Sequence, residues 1–157
     1  MRLGLLFFSL LALDQATKFI VRNTMVLGQS IPVLGQFLKL TYVENPGIAF
    51  GLRVTHGFVF TVLSILASLF IIVLLFTHRN EKPAFKTALV MILSGAVGNL
   101  IDRILFRHVA DFLDIGIRNL RWYVFNVADS AVVVGMFILS YLIFISERGK
   151  ETKPAAK

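Results

Sequence analysis

The chain contains no cysteine, which removes disulfides, thiol catalysis, thiolate metal sites and lipid attachment through cysteine from consideration. It is also short of charge: 16% of its 157 residues are Asp, Glu, Lys or Arg, against 57% hydrophobic, and the mean hydropathy is +0.79. Acids are the scarcer sign, nine against sixteen bases. On a soluble protein the net charge of +7 would suggest a nucleic-acid partner. Here the bases flank long charge-free runs and read as membrane-surface anchors, so no nucleic-acid partner is expected. Several spans of about 20 residues each leave little length for a separate soluble domain.

Along the chain, the run from Leu3 to Leu13 follows Arg2 and has the length of a signal-peptide core. The apolar pattern resumes through Ala16, Phe19, Ile20 and Val21, and no small-x-small cleavage site follows, so an uncleaved first span over about residues 3–21 is expected. The tract 23–57 is too polar to span. Its stretch from Phe37 to Val43 is rich in β-formers and is followed by the breakers Asn45, Pro46 and Gly47, predicting a small β region at the membrane surface. Phe58 to Phe76 carries no charge over nineteen residues and forms span two, 58–76. A turn from His78 to Pro83 leads into span three, 84–106, where Ser94 and Gly98 have the spacing that lets helices approach closely. Arg107 to Tyr123 reads as a loop with a short strand or interfacial piece, and 124–145 is span four. The expected fold class is thus mainly α and membrane-embedded: four transmembrane helices with a small β region between spans one and two. It forms one domain over 1–146, followed by a polar, disordered tail over 147–157.

Acids inside such a chain need a reason, because an Asp at mid-membrane depth costs roughly 2.5 to 3.5 kcal/mol. Four spans place both termini and the 77–86 turn on one side. Lys and Arg divide eight and eight between the two sides, so the positive-inside rule does not choose between them. The Asp residues do separate: Asp14, Asp102, Asp111, Asp114 and Asp129 all fall on the side away from the termini, whereas Glu81, Glu147 and Glu151 fall on the terminal side. Three spans therefore deliver carboxylates to one face.

The spacings on that face are helical. Asn99, Asp102 and Arg103 lie at i, i+3 and i+4, and Asn126 and Asp129 are three apart at the start of span four. Each has a plain structural reading too. Asn126 can be an N-cap with Asp129 at N3, Asp102 and Arg103 an interface pair, and Asp14 and Lys18 an i, i+4 ion pair. Asp111 and Asp114 can simply be solvated loop acids. If the fold brings Asp111 and Asp129 within a few ångströms, the two cannot both ionise, and a neutral acid stands beside a charged base. Such a pair can activate water against a peptide carbonyl without a protein nucleophile.

Competing constellations are thinner. His108 and Asp111 are three apart, but no HExxH accompanies them and His56 and His78 are distant, so no metal is expected. A Ser with Lys18 as base would have to use Ser30 or Ser130, and on a helix Ser130 points roughly 100° away from Asp129. A small proton- or cation-coupled transporter would also keep intramembrane acids, but these gather at one face instead of tracing a path. A noncatalytic assembly factor would tolerate Asp to Asn replacement.

Five ordered motifs carry a resemblance: DQATK at 14–18, NPGIAFG at 45–51, GNLIDR at 98–103, VADF at 109–112 and FNVADS at 125–130. Over residues 14–130 the chain resembles the lipoprotein signal peptidases, the bacterial type II signal peptidases of the aspartic peptidase class. The resemblance implies a four-span endopeptidase of the bacterial cytoplasmic (inner) membrane, with both termini cytoplasmic, an extracytoplasmic 23–57 sheet and the active site toward the outer face. It implies catalytic carboxylates at Asp111 and Asp129, with Asp14, Asn45, Asn99, Asp102, Arg103 and Asn126 supporting the site or contacting substrate. The implied partners are lipid-modified prolipoproteins, cut before the diacylglyceryl-modified cysteine, together with membrane lipids; the implied form is a monomer needing no cofactor. Ile48 departs from the family's N-x-G-A-A pattern, where a small residue is expected.

Overall fold

The computed structural model of the chain describes residues 2–49, 52–53, 57–118 and 120–151. Four membrane-length helices, α1 Arg2–Thr24, α2 Gly57–Thr77, α3 Pro83–Phe106 and α4 Val127–Glu151, account for most of it. Their ends follow from local chemistry. Pro83 opens α3 at a position where a missing N–H costs nothing. Arg107 closes it in the left-handed region at φ 67°, its N–H donating to the Arg103 carbonyl at 3.2 Å. The helices match the expected spans to within a few residues except at the C-terminal end. There α4 runs on to Glu151, so residues 147–151, expected to belong to a disordered tail, continue the helix. Backbone hydrogen bonding propagates readily through the residues that follow the apolar run, Arg and Glu among them, because these are good helix formers. Residues 152–157 lie outside the described chain.

Between α1 and α2 come β1 Ser30–Leu34, β2 Leu38–Asn45, β3 Ile48–Ala49 and β4 Leu52–Arg53; between α3 and α4 come β5 Val109–Ile117 and β6 Leu120–Arg121. The predicted β stretch is β2, extended to Asn45. The main sheet has order β1-β2-β5-β6 with antiparallel pairings, so half of it is built from the 107–123 segment, read from sequence as mostly loop. β3 and β4 form a separate antiparallel ribbon. Phe50, Gly51 and His56 lie outside the described residues.

The sheet is fastened to the helical body by one apolar cluster: Val21 and Met25 from the end of α1, Tyr42 from β2, and Ala110 and Phe112 from β5, with Leu40, Leu113 and Val127 packed against it. Burying side chains of this size stabilises by about 1.5 to 3 kcal/mol each, enough to hold a sheet whose outer strand β1 is exposed along its whole length. In the bundle, α3 and α4 approach almost backbone to backbone. A Cβ on Gly135 would sit 2.7 Å from the Ala88 carbonyl oxygen, so only glycine permits this contact.

Candidate active site

β5 is buried over Val109 to Phe112. Alternation sends Ala110 and Phe112 to the apolar cluster, which leaves Asp111 facing the other way. The chain then returns through β6, and Phe125 locks beside β5: its carbonyl accepts from the Phe112 and Leu113 N–H groups at 3.0 and 2.7 Å, and its own N–H donates to the Leu113 carbonyl at 3.0 Å. That anchor delivers the next residue, Asn126, against Asp111. Asn126 Nδ2 donates to Asp111 Oδ1 at 2.7 Å, and Asn45 Nδ2, from the end of β2, donates to Asp111 Oδ2 at 3.0 Å.

Asn126 also starts α4. Its Oδ1 accepts from the Asp129 N–H at 2.9 Å, and Asp129 Oδ2 accepts from the Asn126 N–H at 3.2 Å, the reciprocal pattern of a capping box. The capping reading of these two residues is therefore correct, and it does not exclude a site. The same asparagine holds Asp111 with its amide and Asp129 with its backbone. Asn99 on α3 completes the enclosure, its Nδ2 donating to Asp129 Oδ1 at 2.7 Å. Burial first, and the neighbouring Asp129 charge second, push Asp111 up from 3.8 to about 7, against the pull of the Asn45 and Asn126 hydrogen bonds and the Lys18 ammonium. A carboxyl that titrates near neutrality beside a second carboxylate can pass a proton in either direction at ambient pH.

Behind this pair lies a buried ionic layer. Asp14, Lys18 and Arg22 are spaced four apart on one stripe of α1. Lys18 Nζ reaches Asp14 Oδ2 at 2.9 Å and Asp102 Oδ2 at 3.4 Å, while Arg22 pairs with Asp102 Oδ2 at 2.8 Å. Asp14 Oδ1 also accepts the Ala128 N–H at 2.9 Å, and Asp102 Oδ2 accepts the Ala110 N–H at 3.1 Å. Each of these carboxylates thus ties a helix to the backbone of the segment carrying one of the paired acids. Gly98 makes room for this, since a Cβ there would lie 2.6 Å from Asp14 Oδ2.

Several expectations are corrected by this arrangement. Asp102 and Arg103 do not pair and do not share a face. Neighbours on a helix diverge by roughly 100°, so Asp102 turns to α1 while Arg103 donates to Ser64 Oγ on α2 at 3.2 Å and to the Asn99 carbonyl at 3.4 Å. Asp114 is not a solvated loop acid. It accepts from Arg121 Nε at 2.6 Å and Thr41 Oγ1 at 2.7 Å, and is held below the usual carboxylate range by those bonds despite the opposing effect of burial. His108 faces Glu44 at 3.2 Å, and the Ser130 hydroxyl donates to the Asn126 carbonyl at 2.9 Å, a packing role. Lys18 enters the sequence reading only as an ion-pair partner of Asp14 or a base for serine, and Arg22 only in the count of charges, although their i, i+4 ladder from Asp14 marks a shared face.

A membrane-embedded body of four helices that turns a linked pair of carboxylates toward one face has the build of a membrane aspartic peptidase. Comparison with known proteins narrows the class. The peptidase A8 family model, described as signal peptidase (SPase) II, matches residues 6–145, and the chain belongs to this family. It is 40% identical over 149 residues to a lipoprotein signal peptidase of Moorella thermoacetica, covering 94% of this chain and 97% of that protein. It is 44% identical over 131 residues to one of Cupriavidus necator, covering 81% and 74% respectively. A solved bacterial membrane enzyme at 2.3 Å resolution superposes with a TM-score of 0.87 at 28% identity, covering 99% of this chain and 94% of that one. A second, at 1.9 Å, gives 0.81 at 29% identity, covering 90% and 92%.

Proposed function

We propose that this protein removes signal peptides from diacylglyceryl-modified prolipoproteins, cutting before the lipid-bearing cysteine with water activated by Asp111 and Asp129. Family membership supports the removal of signal peptides from prolipoproteins. The aspartyl assignment is carried by one observation: Asn126 bonds both carboxylates at once.

With one proton held between them, one carboxylate takes a proton from water as the water oxygen attacks the scissile carbonyl carbon. The other gives its proton to the carbonyl oxygen. The resulting gem-diol collapses when the dyad returns a proton to the amide nitrogen and recovers one from a hydroxyl. The C–N bond breaks, and the pair regains its single proton. Asn45, Asn99 and Asn126 present N–H groups to the dyad and fix its rotamers; Asp14 and Asp102 hold the segments bearing it. Arg103, one turn from the C-cap of α3 and hydrogen-bonded to α2, is assigned to the substrate backbone near the scissile bond. In this reading both termini are cytoplasmic and the dyad lies at the outer surface, where a signal helix unwinds to expose carbonyls that an intact helix keeps hydrogen-bonded.

The test is cleavage of a diacylglyceryl-modified prolipoprotein by purified protein beside Asp111→Asn and Asp129→Asn, each checked for its helical signal in detergent. Both variants should lose at least about 10³-fold in turnover, a loss comparable to removing a principal catalytic group. In the parent, the alkaline limb of the pH profile should have a midpoint near 7, where Asp111 loses its proton. If both folded variants still cut, the dyad assignment is wrong.

A further inference from the structure

Lys18 is completely buried, at 0% exposure, and a buried ammonium demands full compensation. Charge alone explains only part of its surroundings. Asp14 and Asp102 carry two negative charges, and Lys18 and Arg22 carry two positive ones, so the layer is balanced by its own ion pairs. Yet Lys18 makes a third contact, 2.8 Å to Asn99 Oδ1, in the direction of the paired carboxylates.

That contact decides an orientation. An ammonium has three donors and no acceptor, so the atom of the Asn99 amide facing it has to be oxygen. The amide is planar, and its nitrogen is thereby turned to Asp129 Oδ1 at 2.7 Å. The fixed Asn99 oxygen accepts a second bond, from Asn126 Nδ2 at 3.2 Å. The same nitrogen of Asn126 donates to Asp111 Oδ1 at 2.7 Å. A chain of four hydrogen bonds thus runs from one cation to both carboxylates, and each member fixes the polarity of the next.

We infer that Lys18 is a positioning residue of the peptidase site: it sets the amide orientation of Asn99, and through it that of Asn126, so that both present N–H groups to Asp129 and Asp111. The inference rests on the dyad reading above. A lysine needed only for folding would be indifferent to which way Asn99 faces.

A kinetic double-mutant cycle separates the two roles. Lys18→Met is compared with the parent, and again in an Asn99→Ala background, using turnover of the lipid-modified prolipoprotein. Lys18→Met should lower kcat about 10²-fold with KM within about twofold, the pattern of an interaction that matters in the transition state. In the Asn99→Ala background the same substitution should cost less than about threefold, because the group it acts through is gone. Equal losses in both backgrounds, or an unchanged kcat for folded Lys18→Met, overturn the inference. If Lys18→Met does not fold, Lys18→Gln, which removes the charge and shortens the reach, is put through the same cycle with the same criteria. The dyad reading fails separately: in that case Asp111→Asn and Asp129→Asn would still cleave, whatever Lys18 does.

Discussion

α2 and α3 are both of membrane-crossing length, yet they are opposite kinds of helix. α3 has 44% of its most apolar window buried inside the protein and carries Asn99, Asp102 and Arg103, whereas α2 has 6% buried and no charge at all. Polarity and enclosure go together because lipid offers no partner to a hydrogen-bonding group. A polar residue is tolerated on a helix only where other protein segments satisfy it. α3 meets that condition by lying between α1 and α4, and its low-tolerance positions are those where three helices and β5 converge. α2 is a lipid-facing wall that offers the Ser64 hydroxyl to Arg103.

The contrast can be tested by substitution. Removing an acid from the enclosed side should have the largest effect. Asp14→Ala leaves the Ala128 N–H unpartnered and takes one of two counter-charges from Lys18, so it should destabilise by about 3 to 5 kcal/mol. Thermal unfolding in detergent reads this as a melting point lowered by several degrees, and a melting point unchanged within a degree would contradict the network.

A smaller and pH-dependent effect is expected at Asp111. Its folded-state titration is raised from 3.8 to about 7. The folded protein therefore binds this proton more tightly than the unfolded chain, and the associated stability is present in full below about pH 4 and lost as pH rises to about 7. Asp111→Asn cannot ionise. It should melt a few degrees above the parent at pH 8 and lose that advantage at pH 4, as followed by detergent melts across the range. An advantage of the opposite sign would mean the carboxylate is stabilised, not strained, in its ionised form.

On α2 almost nothing should happen. Leu69, 54% exposed on the outward face, faces a medium as apolar as itself, so Leu69→Ala should change the melting point by less than the scatter between preparations, within about 0.5 kcal/mol. A large loss there would show α2 to be packed against something besides lipid.

Much of this division was legible in the sequence. The charge-free run from Phe58 to Phe76 marked α2 as a span, and the collection of every Asp on one side showed three spans delivering carboxylates to one face. What could not be read was how acids on nonhelical segments would point. Asp111 and Asp114 look alike in a mixed loop, and only the formation of β5, driven by pairing with β2 and by the Val21, Met25 and Tyr42 cluster, gives them different partners, Asn45 and Asn126 for one and Thr41 and Arg121 for the other. The reading of Asp102 and Arg103 as an interface pair does not hold, because neighbours on a helix diverge and each turns to a different helix. Asn126 was the opposite case. Its capping role was visible from spacing, but its grip on Asp111 depends on the Phe125 bridge to Leu113, a long-range contact with no local signature.

The bond from the Ala128 N–H to Asp14 joins residues 114 positions apart. During synthesis the first helix enters the bilayer with its carboxylate long before that partner exists, and at this stage only Lys18, one turn away, is available to neutralise it. The pair of acids on β5 and α4 is then completed only when α4 is made. A chain that stops short of α4 therefore cannot bring Asp111 and Asp129 together, because the Asn126 bonds that link them form only at the start of that helix.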